Sequence, residues 1–238
     1  MTAVNAARVL ITGASRGLGH ALAAELHGRG YDVVATARDL SDLADIDASD
    51  KVPLDVTEPK SIEAAVAAAG ELDVLVNNAG LTVQAPVEAV PIDVFRSVIE
   101  TNLFGPLRLI QAVLPGMRKR GRGTIVNVSS GGVRSAPPLQ GAYSASKAAL
   151  ELLSETLRKE VEPFGVRVLV ISAGGIRTEM RARQQRYGSE PYAALIEQFE
   201  TRMEEYEKQG GGSPPEEVAS AIADLIEQPD PPPLATLG

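Results

Sequence analysis

The stretch YSASK, Tyr143 to Lys147, sets a weak acid and a strong base four residues apart in a run of small side chains. On a helix, positions i and i+4 share a face one turn apart, so the phenol and the ammonium reach the same point in space. A polar substrate placed there would meet a proton donor beside a fixed positive charge. A lone pair of this kind more commonly marks a solvated helix face, so the rest of the chain has to decide between the two.

A second chemical pattern lies near the start. In TGASRGLGHALAAEL the glycines at 13, 17 and 19 are spaced TGxxxGxG, behind an apolar run and ahead of a helical one. Glycine lets a backbone approach a pyrophosphate, whose charge meets the free N–H groups and the positive end of the helix dipole. A glycine turn needed only for tight strand-to-helix packing would leave the same trace. Further on, VVATAR places Ala37 where a carboxylate would bind the ribose hydroxyls of NAD, and Arg38 follows it. Asp32 comes too early to serve as that acid. A guanidinium suits the 2′-phosphate of NADP, and Arg16 inside the glycine loop adds a second charge. The competing reading of Arg38 is a solvent arginine paired with Asp39 or Asp42.

These residues need a frame. Short apolar runs alternate with amphipathic helical stretches, the pattern of βα units around a parallel sheet. Strands are expected at Arg8 to Thr12, Asp32 to Ala37, Lys51 to Leu54, Leu72 to Val76, Gly123 to Ser129 and Val166 to Ile171. Helices are expected at about 17–29, 59–69, 92–120 and 141–163. The fold class is therefore α/β, a single Rossmann-type doubly wound parallel sheet of about seven strands with helices on both faces. One domain spans 1–238, with a mobile substrate lid at about 178–212, where charge crowds before a GGG run. The tail QPDPPPLATLG has four prolines within residues 229–233 and so cannot be helical, but it has room for one short edge strand.

Composition narrows the partners. Zero cysteines exclude disulfides and thiolate metal sites, and two histidines, His20 and His27, make a histidine metal site unexpected. A net charge of −8 argues against nucleic acid. No apolar run is long enough for a membrane helix, and MTAVNAARVL lacks the basic start and apolar middle of a signal peptide. A cytoplasmic protein is the expectation.

With TGASRGLG, NNAG, the asparagine of ETNL, VSS and YSASK in this order, the chain resembles the short-chain dehydrogenase/reductase family from Arg8 to about Thr178. The resemblance implies a catalytic tetrad of Asn102, Ser130, Tyr143 and Lys147. Tyr143 would be the proton donor or acceptor, with Lys147 lowering a phenol pKa that is ordinarily about 10 and holding the nicotinamide ribose. The family places its serine thirteen residues before the tyrosine, which favours Ser130 over Ser129. Asn102 would hold a water near the lysine through a local helix distortion; a lone asparagine would otherwise be read as solvent-facing.

The cofactor contacts implied are Gly13, Ser15, Arg16, Gly17, Leu18, Gly19, Arg38, Asp55, Val56, Asn78, Ala79, Gly80, Tyr143, Lys147, Gly174, Ile176 and Thr178. Asp55 would take the adenine amine and Val56 would pack on the ring, although Asp55 also reads as a helix cap or loop acid. In SAGGIRT, Ala173 stands where the family usually has proline, which leaves the stiffness of that loop in question.

The substrate walls would come from the segment between Ser130 and Tyr143 (Val133, Pro137, Pro138, Leu139, Gln140), the 81–87 loop and the lid. Tyr187, Tyr192 and Phe199 of the lid would either close over substrate or simply pack their helix. The function expected is NADP(H)-dependent reduction of a ketone or aldehyde of moderate size by a homotetramer or homodimer. The alternatives are an NAD(H)-dependent alcohol dehydrogenase and a non-catalytic dinucleotide-binding protein.

Overall fold

Runs of β-branched and other apolar residues set the strands, and the helices that connect them make the strands parallel and bury both faces of the sheet. The computed structural model describes residues 6–188 and 190–238. Residues 1–5, part of the stretch read for a signal peptide, and Ser189 of the expected lid lie outside the described residues.

From the N-terminus the elements are β1 (Arg8–Ile11), α1 (Gly17–Gly28), β2 (Asp32–Ala37), β3 (Asp50–Pro53), α2 (Pro59–Ala69), β4 (Val74–Asn77) and β5 (Val83–Gln84). They continue with α3 (Ile92–Ile99), α4 (Gly105–Arg120), β6 (Gly123–Ser130), α5 (Gly132–Ser135), α6 (Gly141–Val161) and β7 (Val166–Ala173). The last are β8 (Gln185–Arg186), α7 (Ala193–Lys208), α8 (Pro215–Glu227) and β9 (Leu234–Leu237). The main sheet is seven-stranded and all parallel, in the order β3-β2-β1-β4-β6-β7-β9. The strand order reverses between β1 and β4, where open α/β sheets hold ligands at their carboxyl ends.

Two cores sandwich the sheet. One packs Leu22, Leu26, Ile222 and Ile226 of α1 and α8 on Val9, Ile11, Val33 and Ile171. The other packs Ile62, Leu109, Val113 and Met117 of α2 and α4 on Leu10, Val34, Leu75 and Ile125. Arg8 closes the amino end of β1 by pairing with Asp32 and Asp50, so Asp32 has a structural partner at that end of the sheet.

The helix expected at 92–120 is interrupted. Residues Glu100–Phe104 form a π-helical segment between α3 and α4, the kind of insertion that accumulates at functional sites. The short β5 and β8, not foreseen, pair in parallel and join the 81–87 loop to the lid. The tail does form an edge strand, because Gly174 N and Val170 N bond to Leu237 O and Pro233 O.

Candidate active site

Every glycine-loop and strand-end residue singled out from the sequence lies at the carboxyl ends of β1, β2, β3, β4, β6 and β7. The loop after β1 is built around Thr12, which the sequence reading passed over as a strand residue. Its buried hydroxyl donates to Val76 O at 3.2 Å and accepts from Asn78 N and Ala79 N, each at 2.9 Å. Asn78 Nδ2 in turn donates to Thr12 O at 2.9 Å and Gly13 O at 3.1 Å. A Cβ on Gly19 would sit 2.3 Å from Gly13 O, so glycine is required there by the close approach of helix and loop. Gly17, at φ +55, faces Thr178, whose Cγ2 would lie 3.0 Å from an added Cβ. The glycine loop and the loop after β7 thus meet across the same groove.

A dinucleotide fits this groove. No side chain caps α1, and its first turn carries no acidic residue, so its first N–H groups and dipole are free to meet a pyrophosphate. Arg16 and Arg38 are both exposed and make no ion pair among the described residues. Arg38 is not held by Asp39, whose carboxylate takes Ser41 N at 2.9 Å and Ser41 Oγ at 2.8 Å.

Asp55 Oδ1 binds Thr57 N at 2.9 Å and Thr57 Oγ1 at 2.7 Å. The loop-acid reading therefore holds for one oxygen, and Oδ2 remains for an amine. The Leu18 and Val56 side chains are buried in the two cores, Val56 against Gly105. Each keeps a small exposed surface for a cofactor, and the expected packing of Val56 on the adenine ring stays a proposal. Ser15 is half-buried in the loop.

Asn102 is fully buried in the π segment. Its Oδ1 accepts from Leu81 N at 2.7 Å, and its Nδ2 donates to Leu81 O at 2.8 Å and Ser146 Oγ at 2.9 Å. Ser146, read from the sequence only as small, passes the link on by donating to Tyr143 O at 2.6 Å. A Cβ on Gly80 would lie 3.5 Å from Asn102 Oδ1 and 3.7 Å from Lys147 Nζ, so these three residues share one wall.

Lys147 is buried, and its Nζ donates to Val128 O at 2.7 Å. No carboxylate pairs with it among the described residues. Burial brings its pKa down from 10.5 to about 8. An ammonium has three donors, and those not spent on Val128 suit ribose hydroxyls.

Lys147 Nζ lies 5.9 Å from the centre of the Tyr143 ring. The phenol pKa is nonetheless raised, because burial outweighs the lowering by the Ser130 hydroxyl beside it. The sequence argument expected Lys147 to lower it. At this distance, with the ammonium turned to a carbonyl, desolvation wins. Ser130 Oγ also accepts from Gly132 N at 3.1 Å, while Ser129 Oγ donates to Glu151 Oε1 at 2.6 Å. Of the two hydroxyls, that of Ser130 bonds the phenol at the strand's end, and that of Ser129 is taken by Glu151.

The three expected substrate walls meet. Ala85 N donates to Leu139 O at 2.8 Å, Tyr187 N donates to Gln84 O at 2.8 Å, and Gln184 Nε2 donates to Gln84 Oε1 at 2.8 Å. Leu139 is buried, Val133, Pro137 and Gln140 are half-buried, and Pro138 is exposed. In the lid, Phe199 of α7 is buried, Tyr187 donates to Gln185 and Tyr192 to Glu88. The loop lacking the family's proline is tied by Gly174 N to Leu237 O at 2.7 Å and by Ser213 N to Gly175 O at 2.8 Å. Ile176 is bridged to Ser213. Among the described residues no cluster of potential ligands could hold a metal, and no helix is long and apolar enough to cross a membrane.

Comparison with known proteins gives the family. The sequence pattern described as short chain dehydrogenase matches residues 7–187. The chain belongs to the short-chain dehydrogenase family. It is 46% identical over 179 residues to Short-chain dehydrogenase ptmH of Penicillium ochrochloron, covering 71% of this chain and 66% of that one. The chain thus spans just under two thirds of that relative's length. A short-chain dehydrogenase from Streptomyces avermitilis superposes with a TM-score of 0.88 at 36% identity, over 98% of this chain and 88% of the other. A Burkholderia cenocepacia short chain dehydrogenase in complex with NADP superposes with a TM-score of 0.80 at 29% identity, over 98% and 89%.

Proposed function

We propose that this dehydrogenase is an NADP(H)-dependent reductase of ketones or aldehydes, with Tyr143 as proton donor. The observation that carries the reading is the pair of Tyr143 and Lys147 beside Ser130: the lysine is buried and has no carboxylate partner among the described residues, and the half-buried phenol has its pKa raised by desolvation. A bound nicotinamide supplies the hydride. Ser130 donates a hydrogen bond to the substrate carbonyl oxygen and stabilises the charge that develops on it. Tyr143 delivers its proton to that same oxygen, and a phenol kept neutral by burial suits this direction. Lys147 orients the ribose, and Asn102 holds the wall behind both through Leu81 and Ser146.

Arg16 and Arg38, exposed and unpaired among the described residues, favour a cofactor with an extra phosphate. Exposed Phe104, at the end of the π segment, and Leu152 of α6 offer apolar contact points for other copies, which supports a homotetramer. The lid at 178–212 is proposed to move as substrate enters.

The test is fluorescence titration of NADPH and NADH into the wild type and Arg38→Ala. The reading expects NADPH to bind at least about tenfold tighter, with the gap closed by the substitution. Equal or better binding of NADH would put alcohol oxidation with NAD first, and no binding of either would favour a non-catalytic protein.

A further inference from the structure

Tyr143, Lys147 and Glu151 fall at i, i+4 and i+8 of α6 and so form one stripe. Three consecutive residues of β6 meet this stripe. Ser130 lies beside the phenol, the Val128 carbonyl takes the Lys147 ammonium, and the Ser129 hydroxyl donates to Glu151. The first two contacts belong to the reacting groups, but the third does not.

Glu151 is engaged on both oxygens. Oε1 holds Ser129 Oγ at 2.6 Å, and Oε2 takes Arg134 Nη2 at 3.3 Å. Arg134 Nη1 reaches on to Ser172 Oγ at 2.9 Å on β7. Ser129 and Ser172 are buried, and the Glu151 side chain is 16% exposed. Arg134 lies on α5, in the segment that follows Ser130 and forms the substrate wall. Two residues that are not glycine, Ala136 (φ 42) and Leu139 (φ 66), adopt left-handed backbone there. Such conformations persist only where the surroundings hold them. Because Ser129 and Ser130 point to opposite sides of the strand, turning one about the strand axis swings the other away.

We propose that Glu151 is a positioning residue of the active site, holding Ser129 and Arg134 so that the Ser130 hydroxyl stays at the Tyr143 phenol. Its kinetic consequence rests on the reductase reading, whereas its geometric consequence does not.

The experiment follows the Tyr143 phenol directly. Tyrosine ring carbons are labelled with carbon-13, and the signal of Tyr143 among five tyrosines is identified by its loss in Tyr143→Phe. Its titration is compared in wild type, Glu151→Gln, Glu151→Ala and Arg134→Lys. In parallel, kcat and KM are measured with NADPH and ethyl acetoacetate or p-nitrobenzaldehyde, NADPH affinity by fluorescence, and Tm by circular dichroism.

The proposal expects the phenol to titrate higher in Glu151→Ala and, less so, in Glu151→Gln, because Ser130 no longer lowers it; the carboxylate charge lost in both variants and the unpaired Arg134 act the other way, and Lys147 is the same in both, so a net rise is the outcome that supports it. It also expects kcat to fall by about tenfold, with NADPH affinity kept within about twofold and Arg134→Lys close to wild type. Should the wild type reduce neither carbonyl, the reductase reading fails and the titration alone decides the proposal. A Glu151→Ala protein with lower Tm but unchanged phenol titration and kcat overturns it, leaving Glu151 a strut. Glu151→Gln, nearly isosteric, gives the same decision if the alanine variant does not fold.

Discussion

Lys147 Nζ donates to the Val128 carbonyl at 2.7 Å, and no carboxylate joins them among the described residues. The fold thus carries a desolvated ammonium, with the pKa brought from 10.5 to about 8 by burial. A folded-state value below the unfolded one means the penalty is complete below about pH 8 and is relieved as pH rises toward 10.5. The difference corresponds to about 3 kcal/mol. Lys147→Met is therefore expected to be more stable than wild type at pH 7 in the absence of cofactor, with the gap shrinking by pH 10. Denaturant midpoints of both proteins at the two pH values check this, and the same variant should lose NADPH binding.

Tyr143 gives the complementary prediction. Burial holds its phenol above the ordinary value, so as a proton donor it is competent across the neutral range and loses competence only as pH rises through that raised pKa. Reductive kcat should show no loss assignable to the phenol below about pH 10. Tyr143→Phe should lower kcat by at least about a thousandfold, in the upper part of the range for general acid catalysis, while NADPH affinity stays within about threefold. A steady-state pH profile and a titration measure the two.

Gly19 tests the cradle. An added methyl would stand 2.3 Å from Gly13 O and 2.5 Å from Asn78 Nδ2, and the first of these is backbone that cannot swing aside. Gly19→Ala is expected to destabilise the protein by about 2 kcal/mol, in the range seen for overpacking, and to weaken NADPH binding by moving the loop. Gly116→Ala, which meets only the end of Arg120 at 3.3 Å, is the control expected to leave cofactor binding unchanged.

How legible all this was in the sequence depends on the range of the cause. Strand-and-helix alternation and the order of TGASRGLG, NNAG, VSS and YSASK are local, and the sheet and the stripe of Tyr143 and Lys147 follow from them. The interruption at Glu100–Phe104 was not legible from periodicity, because ETNLF keeps a helical composition and Asn102 finds its partners at Leu81 and Ser146, far away in sequence. Thr12 and Glu151 escaped for the same reason: a threonine ending a strand and a glutamate in an exposed-looking helix show their roles only once Asn78 and Ser129 are beside them. The direction of the Tyr143 shift also needed the structure, since it turns on how desolvation compares with a charge 5.9 Å from the ring centre.

Asn102 supplies the last prediction. Its amide satisfies the Leu81 N–H, the Leu81 carbonyl and Ser146 Oγ from a fully buried position. Asn102→Ala removes all three bonds and strands partners inside the protein, which should cost about 2–4 kcal/mol of stability. Asn102→Asp keeps the acceptor for Leu81 N, but at neutral pH it places a carboxylate where Nδ2 had donated to two oxygens. Burial raises the pKa of such an acid and the Lys147 ammonium on the same wall lowers it; with burial the larger of the two, the folded form binds a proton more tightly than the unfolded form and stability should recover as pH falls from 7 toward 5. A protonated acid regains one donor, for Leu81 O or Ser146 Oγ. Thermal unfolding of the three proteins at pH 5 and pH 7 checks this. A deficit in Asn102→Asp that did not change with pH would show that the site opens to water and that the amide is not the lock described.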